Sequence, residues 1–347
     1  MHGKVLSVPE ALRVLDLREF ETLSLLNAAF EVRQSYFGRT VAVHVLNNVQ
    51  NGLCPEDCRY CAQSKLSRAG IKKYAMKSDK EIFKEARAAH KQGAFRYCLV
   101  FSGTGPSDDR VSKLTGIIRE IKKRWPLEVC VSPGVINYEQ AQKLKKAGLD
   151  RLNHNLNTSL RHYQHICTTH SYEDRLKTLA SAKSAGLKVC SGVIIGMGES
   201  KDDVVAMAKS LQELKADSIP VNFFIPMPGL PLKKAVGLTP DYCLRVLCLF
   251  RFLNPAAEIR MAAGRELHLR HLEPLGLYAA NSLFLQGYLN AKGSSNRRTL
   301  QMIKDLGFSI LSEIKLDDLL DKEEDRKAAG GVLKGLKELR PFKRHRQ

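Results

Sequence analysis

The sequence lacks the segments that would direct it into a membrane or out of the cell. Its first sixteen residues, MHGKVLSVPEALRVLD, contain no apolar run of signal-peptide length, and no stretch approaches a membrane span of about 20 apolar residues. Its nine cysteines are spread over 347 residues, unlike the dense cysteine framework of a small secreted domain. We therefore expect a cytoplasmic protein with reduced thiols and no membrane partner.

Acidic residues are also scarce relative to basic ones: 36 Asp and Glu stand against 55 Lys and Arg, a formal net charge of +19. Such a charge suits nucleic acid, an anionic substrate or an acidic protein partner. Much of it recurs on predicted helix faces such as 118–124, which is typical of a solvated surface, and residues 334–346 hold six Lys and Arg with one Glu. Because no RNA-binding motif accompanies the charge, nucleic acid is not expected as the primary partner, although an RNA-associated protein stays open as an alternative.

Strands alternate with helices along most of the chain. We predict strands at 40–46, 95–101, 127–132, 151–155, 188–195, 218–224, 258–262 and 280–285, with helices between them. Eight such units indicate an α/β fold, a closed (β/α)8 barrel of the TIM type. An open doubly wound sheet is the main rival, but no G-x-G-x-x-G loop follows the first strand. We expect N-terminal helices within 1–38, the barrel over 39–310 and a charged, partly disordered C-terminal extension over 311–347.

Three cysteines lie within eight residues, Cys54, Cys58 and Cys61, at C-x3-C-x2-C spacing. A [4Fe–4S] cluster usually takes four cysteines, so three would leave one iron open to a substrate or cosubstrate. A structural zinc site would need four closed ligands, and no second cysteine pair lies nearby; incidental thiols are the other alternative. The loop follows the first predicted strand, which puts it at the C-terminal face of a barrel, where such folds build their active sites.

A second set of candidate ligands lies on separate predicted strands: Cys98, Cys130, Cys190 and Arg260. Taken singly, each cysteine is explained as a small buried hydrophobe. However, the strands of a barrel converge on one interior, and a buried guanidinium needs anionic partners, which a metal–thiolate cluster would supply. The remaining cysteines, Cys167, Cys243 and Cys248, lie in or next to helical segments, where a core or incidental role is favoured.

The cysteine triplet, with Tyr60 just before its last member, resembles that of the radical S-adenosylmethionine (SAM) enzymes. Longer stretches resemble the biotin synthase family over roughly residues 10–308, namely 51–64, 97–98, 153–159, 189–192, 220–222, 259–266 and 276–282. The enzymatic alternative is a related radical SAM barrel that acts on another small molecule, such as a hydrogenase-maturation or amino-acid mutase enzyme. That alternative would not need the second ligand set.

The resemblance implies an enzyme that inserts sulfur into dethiobiotin to give biotin. In such enzymes SAM chelates the open iron of the [4Fe–4S] cluster and is cleaved to a 5′-deoxyadenosyl radical, while a [2Fe–2S] cluster deep in the barrel donates the sulfur. The implied ligands are Cys54, Cys58 and Cys61 for the first cluster and Cys98, Cys130, Cys190 and Arg260 for the second. The first three and Arg260 are the implied catalytic residues.

The resemblance also implies contacts to the small molecules. Tyr60, Ser102, Asn155 and Asn157 are expected to contact SAM, and Asn153, Asn155 and Asn222 to contact dethiobiotin. Alternate residues of a strand share one face, so Asn153, Asn155 and Asn157 are predicted to point into the barrel together. Some family members carry Asp at the position of Asn157, which puts its ribose contact in doubt. The implied partners are a flavodoxin or ferredoxin as electron donor and a second copy of the chain.

Overall fold

The computed structural model describes residues 6–321 and contains a closed barrel of parallel strands. Ladder pairing runs from each strand to the next and returns from β9 to β1, where Ala42 pairs with Ser282. The strands are β1 (Thr40–Asn48), β2 (Arg96–Val100), β3 (Glu128–Ser132), β4 (Arg151–Asn153), β5 (Lys188–Cys190), β6 (Val193–Ile195), β7 (Ser218–Phe223), β8 (Glu258–Met261) and β9 (Ser282–Phe284). The predicted (β/α)8 barrel is therefore confirmed, with β5 and β6 forming its fifth position.

Helices connect successive strands and carry strong start signals. Capping boxes begin four of them, for example Ser78 with Glu81 and Ser200 with Asp203, where each side chain accepts from the backbone of the other residue. The helices are α1 (Val8–Leu15), α2 (Thr22–Phe37), α3 (Asp79–Lys91), α4 (Asp108–Arg124), α5 (Tyr138–Lys146), α6 (Leu160–Tyr163), α7 (Tyr172–Ser184), α8 (Lys201–Glu213), α9 (Pro240–Leu253), α10 (Arg265–Leu269) and α11 (Asn296–Asp305), with a 3-10 helix at Arg270–Tyr278.

Two buried arginines join the N-terminal helices to the barrel. Arg245 on α9 donates to the carbonyl oxygens of Asp16 and Phe20, which fixes the turn between α1 and α2. Arg33 on α2 donates to the carbonyl oxygens of Thr40 and Ala280, just before β9. The Arg245 contacts lie near the start of α9 and the Arg33 contacts at the N-terminal ends of β1 and β9, so the N-terminal helices pack along the outside of the barrel, against α8 and α9.

The fifth strand is interrupted, which the sequence did not predict. Between β5 and β6 the backbone N–H of Gly192 leaves the ladder and donates to the side-chain oxygen of Asn155 at 2.9 Å. A Cβ at Gly192 would lie 2.3 Å from the carbonyl oxygen of Pro220, so only glycine allows this approach. The single strand predicted over 188–195 is therefore wrong at its centre.

The chain adds three short strands outside the predicted set. A hairpin of β10 (Gly287–Tyr288) and β11 (Ala291–Lys292) lies at the mouth of the barrel, and β12 (Ser309–Ile310) pairs with the start of β1. A helical segment at 316–321 follows, with Leu319 and Leu320 buried. The basic stretch at 334–346 lies outside the described residues. Among residues 6–321, no helix combines the length and apolar character needed to cross a membrane.

Candidate active site

A cavity of about 290 Å³ opens at the C-terminal ends of the strands and extends into the barrel. The structure brings all the sequence-predicted site residues to its walls, which are Cys54, Cys58, Tyr60, Cys61, Cys98, Ser102, Cys130, Asn153, Asn155, Asn157, Cys190, Asn222 and Arg260. The two cysteine sets occupy different depths. We call Cys54, Cys58 and Cys61 the outer set, and Cys98, Cys130 and Cys190 the inner set.

The outer set lies on the loop after β1, and hydrogen bonds hold this loop in place. The hydroxyl of Ser102 donates to the carbonyl oxygen of Gly52 at 2.6 Å, so the predicted SAM contact Ser102 already supports the loop. The Asp57 carboxylate accepts from the backbone N–H groups of Thr168 and Thr169 at 2.9 and 3.2 Å. The position of the loop is thus set by β2 and by the segment between α6 and α7.

The outer thiols have the surroundings of cluster ligands. Burial raises the pKa of Cys61 to about 11 and also raises the pKa of Cys54. Backbone N–H groups act against this: those of Gln63 and Ser64 reach Cys61, and those of Glu56 and Gly103 reach Cys54. Such N–H···S contacts stabilise thiolates on iron and tune the potential of the cluster. The outer set therefore fits a [4Fe–4S] cluster with one iron open to the cavity.

Cys167 lies beside the outer set, although the sequence favoured a core or incidental role for it. Its Sγ is 3.6 Å from Cys58 Sγ and 3.4 Å from His170 Nδ1. A hydrogen bond with Cys58 and contacts with His170 lower the pKa of Cys167 to about 4, despite its burial. The C-x2-H spacing of Cys167 and His170 was the one signal that could have found this pair.

A buried cation, Arg175 on α7, lies at the mouth of the cavity and was also missed. Its Nη2 donates to His170 Nε2 at 2.6 Å, its Nε to the Tyr163 hydroxyl at 2.5 Å and its Nη1 to the carbonyl oxygen of Asn155 at 2.7 Å. Since Arg175 only donates, Nδ1 of His170 carries the ring proton and donates to Glu56 at 2.6 Å. The guanidinium is thus held rigidly next to the outer set.

The inner set lies on the barrel strands and is almost completely buried. Cys98 on β2 pairs directly with Cys130 on β3, and Cys190 on β5 pairs with Asn153 on β4. Arg260 on β8 points to the same place, with Nη1 3.8 Å from Cys190 Sγ. Its Nε is buried with no hydrogen-bond partner among residues 6–321. A guanidinium that lies against Cys190 and keeps one nitrogen without a partner in the described part of the chain fits a residue that faces a [2Fe–2S] cluster.

The charge around the inner set favours thiolates. A hydrogen bond from Cys130, together with the cations of Arg260 and Arg96, holds the pKa of Cys190 well below its usual value. The same three groups lower the pKa of Cys98, against its burial. The pKa of Cys130 is raised instead, because Cys130 donates a hydrogen bond to both Cys98 and Cys190. Two of the three inner thiols are therefore prepared to bind metal as thiolates.

Glu258 is the buried anion that balances these arginines, and the sequence analysis did not identify it. Its carboxylate accepts from Arg260 Nη2, from Arg96 Nη1 at 3.1 Å and from the Ser218 hydroxyl at 3.1 Å. Burial alone would raise the pKa of Glu258, but Arg96 and Arg260 outweigh it and hold that pKa well below the usual value. Because Glu258 and Arg260 are two residues apart on one strand, they share a face, and this spacing was the available signal.

The predicted asparagines line the cavity, but not through strand alternation. The strand β4 ends at Asn153, and Asn157 has a left-handed backbone with φ of 68°. The prediction that a strand would align Asn153, Asn155 and Asn157 is therefore wrong. After Asn153 the chain turns into a loop, in which the side chain of Asn155 accepts from the backbone N–H of Gly192 at the break in the fifth strand. Asn153 Nδ2 still reaches Asn155 Oδ1 and Cys190 Sγ, both at 3.2 Å.

Two of the asparagines are already held by the protein. Asn222 donates to the carbonyl oxygen of Val193 at 2.9 Å and accepts from the N–H of Ala263 at 3.1 Å. Asn157, with its amide oxygen toward Arg175, accepts from the Tyr60 hydroxyl at 2.5 Å and from both Arg175 Nη atoms at 3.3 Å. Tyr60, Asn157 and Arg175 thus form one polar group at the mouth of the cavity.

Comparison with known proteins identifies two sequence domains. Residues 50–211 match the Radical SAM superfamily, and residues 220–309 match the Biotin and Thiamin Synthesis associated domain. The second match covers β8 with Arg260 and ends at the first residue of β12. Together with β1, which precedes both matches, the two matched segments belong to one barrel, and both contribute residues to the cavity.

Solved structures confirm the fold. Methylornithine synthase superposes with a TM-score of 0.77 at 20% identity, with 91% of this chain and 96% of that chain covered. The FeFe-hydrogenase maturase HydG from Carboxydothermus hydrogenoformans gives a TM-score of 0.76 at 19% identity, with 89% of this chain and 76% of that chain covered. At these identities the likeness extends to the fold alone.

Sequence relatives identify the family. The biotin synthase of Magnetococcus marinus is 53% identical over 308 residues, which cover 89% of this chain and 96% of that protein. The biotin synthase of Geobacillus kaustophilus is 49% identical over 308 residues, 89% of this chain and 92% of that protein. With this identity over nearly the full length of these relatives, the chain belongs to the biotin synthase family of radical SAM enzymes.

Proposed function

We propose that this chain converts dethiobiotin to biotin by inserting a sulfur atom, with SAM as the source of the radical. The observation that carries the proposal is the presence of two cysteine sets in one cavity, the inner one facing Arg260. An enzyme that only cleaves SAM would need the outer set alone. The inner set supports a reaction in which a second centre gives up sulfur.

The chemistry explains why cofactors are needed. The carbons of dethiobiotin that receive sulfur carry unactivated C–H bonds, and no side-chain base is strong enough to deprotonate them. When bound, the outer [4Fe–4S] cluster with SAM would supply a 5′-deoxyadenosyl radical and the inner [2Fe–2S] cluster would supply sulfur. Cys54, Cys58 and Cys61 would hold the former, and Cys98, Cys130, Cys190 and Arg260 the latter.

We propose that SAM binds at the mouth of the cavity. The buried guanidinium of Arg175 gives this end of the cavity a positive charge that suits the carboxylate of the methionine part of SAM. Tyr60 offers a ring face for adenine, and the amides of Asn155 and Asn157 suit the ribose hydroxyls. Ser102 supports this site mainly through the cysteine loop, since its hydroxyl proton is directed to Gly52.

Dethiobiotin is proposed to lie between the two cysteine sets. Its ureido ring has donors and acceptors, and Asn153, Asn155 and Asn222 offer both without adding charge. Each of these amides keeps one unused hydrogen or lone pair after its contacts within the protein. Asn153 contacts Cys190 Sγ, so a substrate bound to it would lie next to the inner set.

An anaerobic assay with SAM, a reductant and dethiobiotin tests the proposal. We expect biotin and 5′-deoxyadenosine, with two SAM consumed per biotin. The variant Cys98→Ala should still release 5′-deoxyadenosine but form no biotin, because only the sulfur source is lost. Deoxyadenosine without biotin from the parent protein would redirect the search to another substrate.

The electron donor, the assembly and the location of the chain belong to the same proposal. An acidic flavodoxin or ferredoxin suits the net charge of +19 as the electron donor. A rate of electron transfer that falls at high salt would support this choice. We propose a homodimer on the family resemblance, which light scattering would test. A cytoplasmic location is supported by the nine free thiols, and cell fractionation would test it.

A further inference from the structure

A third ligand group lies between the outer set and α7. It consists of Cys58, Cys167 and His170, whose ligand atoms all lie within 4.8 Å of one another. We infer that, in protein that lacks the outer cluster, these three residues bind one thiophilic divalent cation such as Zn²⁺. Because Cys58 serves both centres, the ion and the [4Fe–4S] cluster exclude each other. The inference goes beyond the proposed function and does not depend on the substrate.

The distances match a single tetrahedral ion. With Zn–S bonds of about 2.3 Å and Zn–N bonds of about 2.0 Å, two sulfurs on one zinc lie about 3.8 Å apart, and a sulfur and a nitrogen about 3.5 Å apart. Cys58 Sγ and Cys167 Sγ are 3.6 Å apart, and Cys167 Sγ lies 3.4 and 3.8 Å from the two ring nitrogens of His170. Two thiolates bound to different irons of a [4Fe–4S] cluster lie farther apart than the 3.6 Å between Cys58 Sγ and Cys167 Sγ. Cys167 therefore suits a single ion shared with Cys58 better than it suits a fourth ligand of the cluster.

The backbone holds Cys167 in this position. The N–H of Arg59, next to Cys58, donates to the carbonyl oxygen of Ile166 at 2.9 Å, and Asp57 binds the two residues after Cys167. The two chain segments are thus joined on both sides of the thiol pair. A metal site whose ligand backbones are already fixed requires little ordering on binding.

The surroundings complete the site. Glu56 is buried and accepts from His170 Nδ1 at 2.6 Å, the carboxylate–histidine arrangement that orients a metal-binding imidazole. Nε2 is then the ligand atom, and Arg175 Nη2 must leave it, while Arg175 keeps its contacts with Tyr163 and Asn155. Two thiolates neutralise a divalent ion, so the site adds no net charge between Glu56 and Arg175.

Metal titration of reduced, cluster-free full-length protein tests this inference. Co²⁺ serves as a spectroscopic probe of thiolate ligands, and Zn²⁺ competition against a chromophoric chelator measures affinity. We expect one tight ion per chain at Cys58, Cys167 and His170, in addition to any ion that the inner set binds. Its affinity should fall at least tenfold in Cys167→Ser and in His170→Gln. Two variants are used so that misfolding of one of them does not decide the test.

The variants Cys61→Ser and Cys243→Ser are matched controls, one in the outer set and one a buried thiol on α9. Both should bind the ion within about twofold of the parent. If Cys61→Ser loses the ion while Cys167→Ser retains it, the ion is held by the outer set and the inference is wrong.

Cluster assembly provides a second readout. Zn²⁺ added before reconstitution should slow the appearance of the outer cluster's absorbance in the parent protein, and much less so in Cys167→Ser. Equal inhibition of both proteins would overturn the inference. Neither measurement involves dethiobiotin, so failure here is distinguishable from failure of the proposed function.

Discussion

The outer and inner cysteine sets contain the same ligand type but are built in different ways. The outer ligands lie within eight residues on a loop that hydrogen bonds hold, and burial raises the pKa of Cys54 and Cys61. The inner ligands come from three strands and are almost completely buried, and a hydrogen bond from Cys130, together with the cations of Arg260 and Arg96, lowers the pKa of Cys98 and Cys190. The comparison teaches that one loop places the outer ligands, whereas the barrel strands place the inner ligands among buried cations.

Removing one cysteine from each set gives the largest expected effect and separates the two roles. Cys58→Ala should abolish both 5′-deoxyadenosine and biotin formation, at least a 10³-fold loss, whereas Cys190→Ala should abolish only biotin. Iron content and product analysis in one anaerobic assay measure both. Cys248→Ala, a buried cysteine on α9, is the control and should retain both products. If Cys190→Ala still forms biotin, the inner set does not supply the sulfur.

The next largest effect is expected from removing the negative charge of Glu258, which lies below the inner set. Glu258→Gln leaves Arg96 and Arg260 without their shared carboxylate, and breaking such a buried pair costs about 3–5 kcal/mol. We expect a lower free energy of unfolding in urea and loss of the [2Fe–2S] absorbance, with the [4Fe–4S] cluster retained.

A neighbouring carboxylate provides the control for Glu258. Glu128→Gln changes the partly exposed partner of Arg96 and Arg151 and should have a smaller effect on both measurements. The conservative variant Glu258→Asp should restore part of the cluster. Parent-like stability and cluster content in Glu258→Gln would contradict the role of this carboxylate.

Acid should weaken the fold through one buried histidine near each set. Burial lowers the pKa of His44, below the inner set, and of His154, near Arg175, so both are neutral in the folded protein. Below about pH 6.5 the unfolded chain binds protons that the folded chain does not, so stability falls as pH falls. Each histidine contributes a slope that rises toward a limit of about 1.4 kcal/mol per pH unit as the pH falls below about 6.5.

Urea unfolding of cluster-free protein between pH 7.5 and 5.5 measures this slope. His170 has a raised pKa, so its protonation stabilises the fold as pH falls and opposes the effect of His44. We therefore compare the parent with His44→Gln, because the contribution of His170 is the same in both proteins and cancels in the difference. The variant should lose the slope of one histidine. Identical slopes would show that His44 titrates normally in the folded protein.

The smallest effect is expected at the mouth of the cavity. Asn157→Asp introduces the residue found in some family members and places a carboxylate 3.3 Å from the Arg175 guanidinium. Asp keeps the acceptor oxygen that binds Tyr60 and Arg175 and can accept from a ribose hydroxyl, so we expect the KM for SAM to change by no more than about threefold. Asn157→Leu, which removes every hydrogen bond, should raise it more. Equal KM values for both variants would exclude a SAM contact at this position.

Much of the fold and part of the site could be predicted from local patterns. The barrel followed from alternating strands and helices, and the outer set from its spacing and its position after the first strand. The missed residues, Cys167, His170, Arg175 and Glu258, belong to no short motif. Cys167, His170 and Glu258 depend on neighbours more than 100 residues away, as for Cys167 beside Cys58. The partners of Arg175 lie within 20 residues of it, but they converge only after the chain has folded.

The asparagines show where local reasoning fails. Period-two alternation predicted that Asn153, Asn155 and Asn157 share a face, but it required a strand through residue 155. The chain instead leaves the ladder after Asn153, because Asn155 binds the freed N–H of Gly192 in the broken fifth strand. That break depends on the close approach of Gly192 to Pro220, which no local pattern records.

The sequence by itself determined the outer set, the barrel and the family, because each depends on local spacing or on residues matched one by one. Only the tertiary structure decided what surrounds them. It brought Cys167 and His170 against Cys58, directed the Arg175 guanidinium to the mouth of the cavity and put Glu258 beneath Arg260. The physical reason is that the pKa of a thiol and the position of a guanidinium depend on buried charges and hydrogen bonds, which exist only after distant segments have packed together.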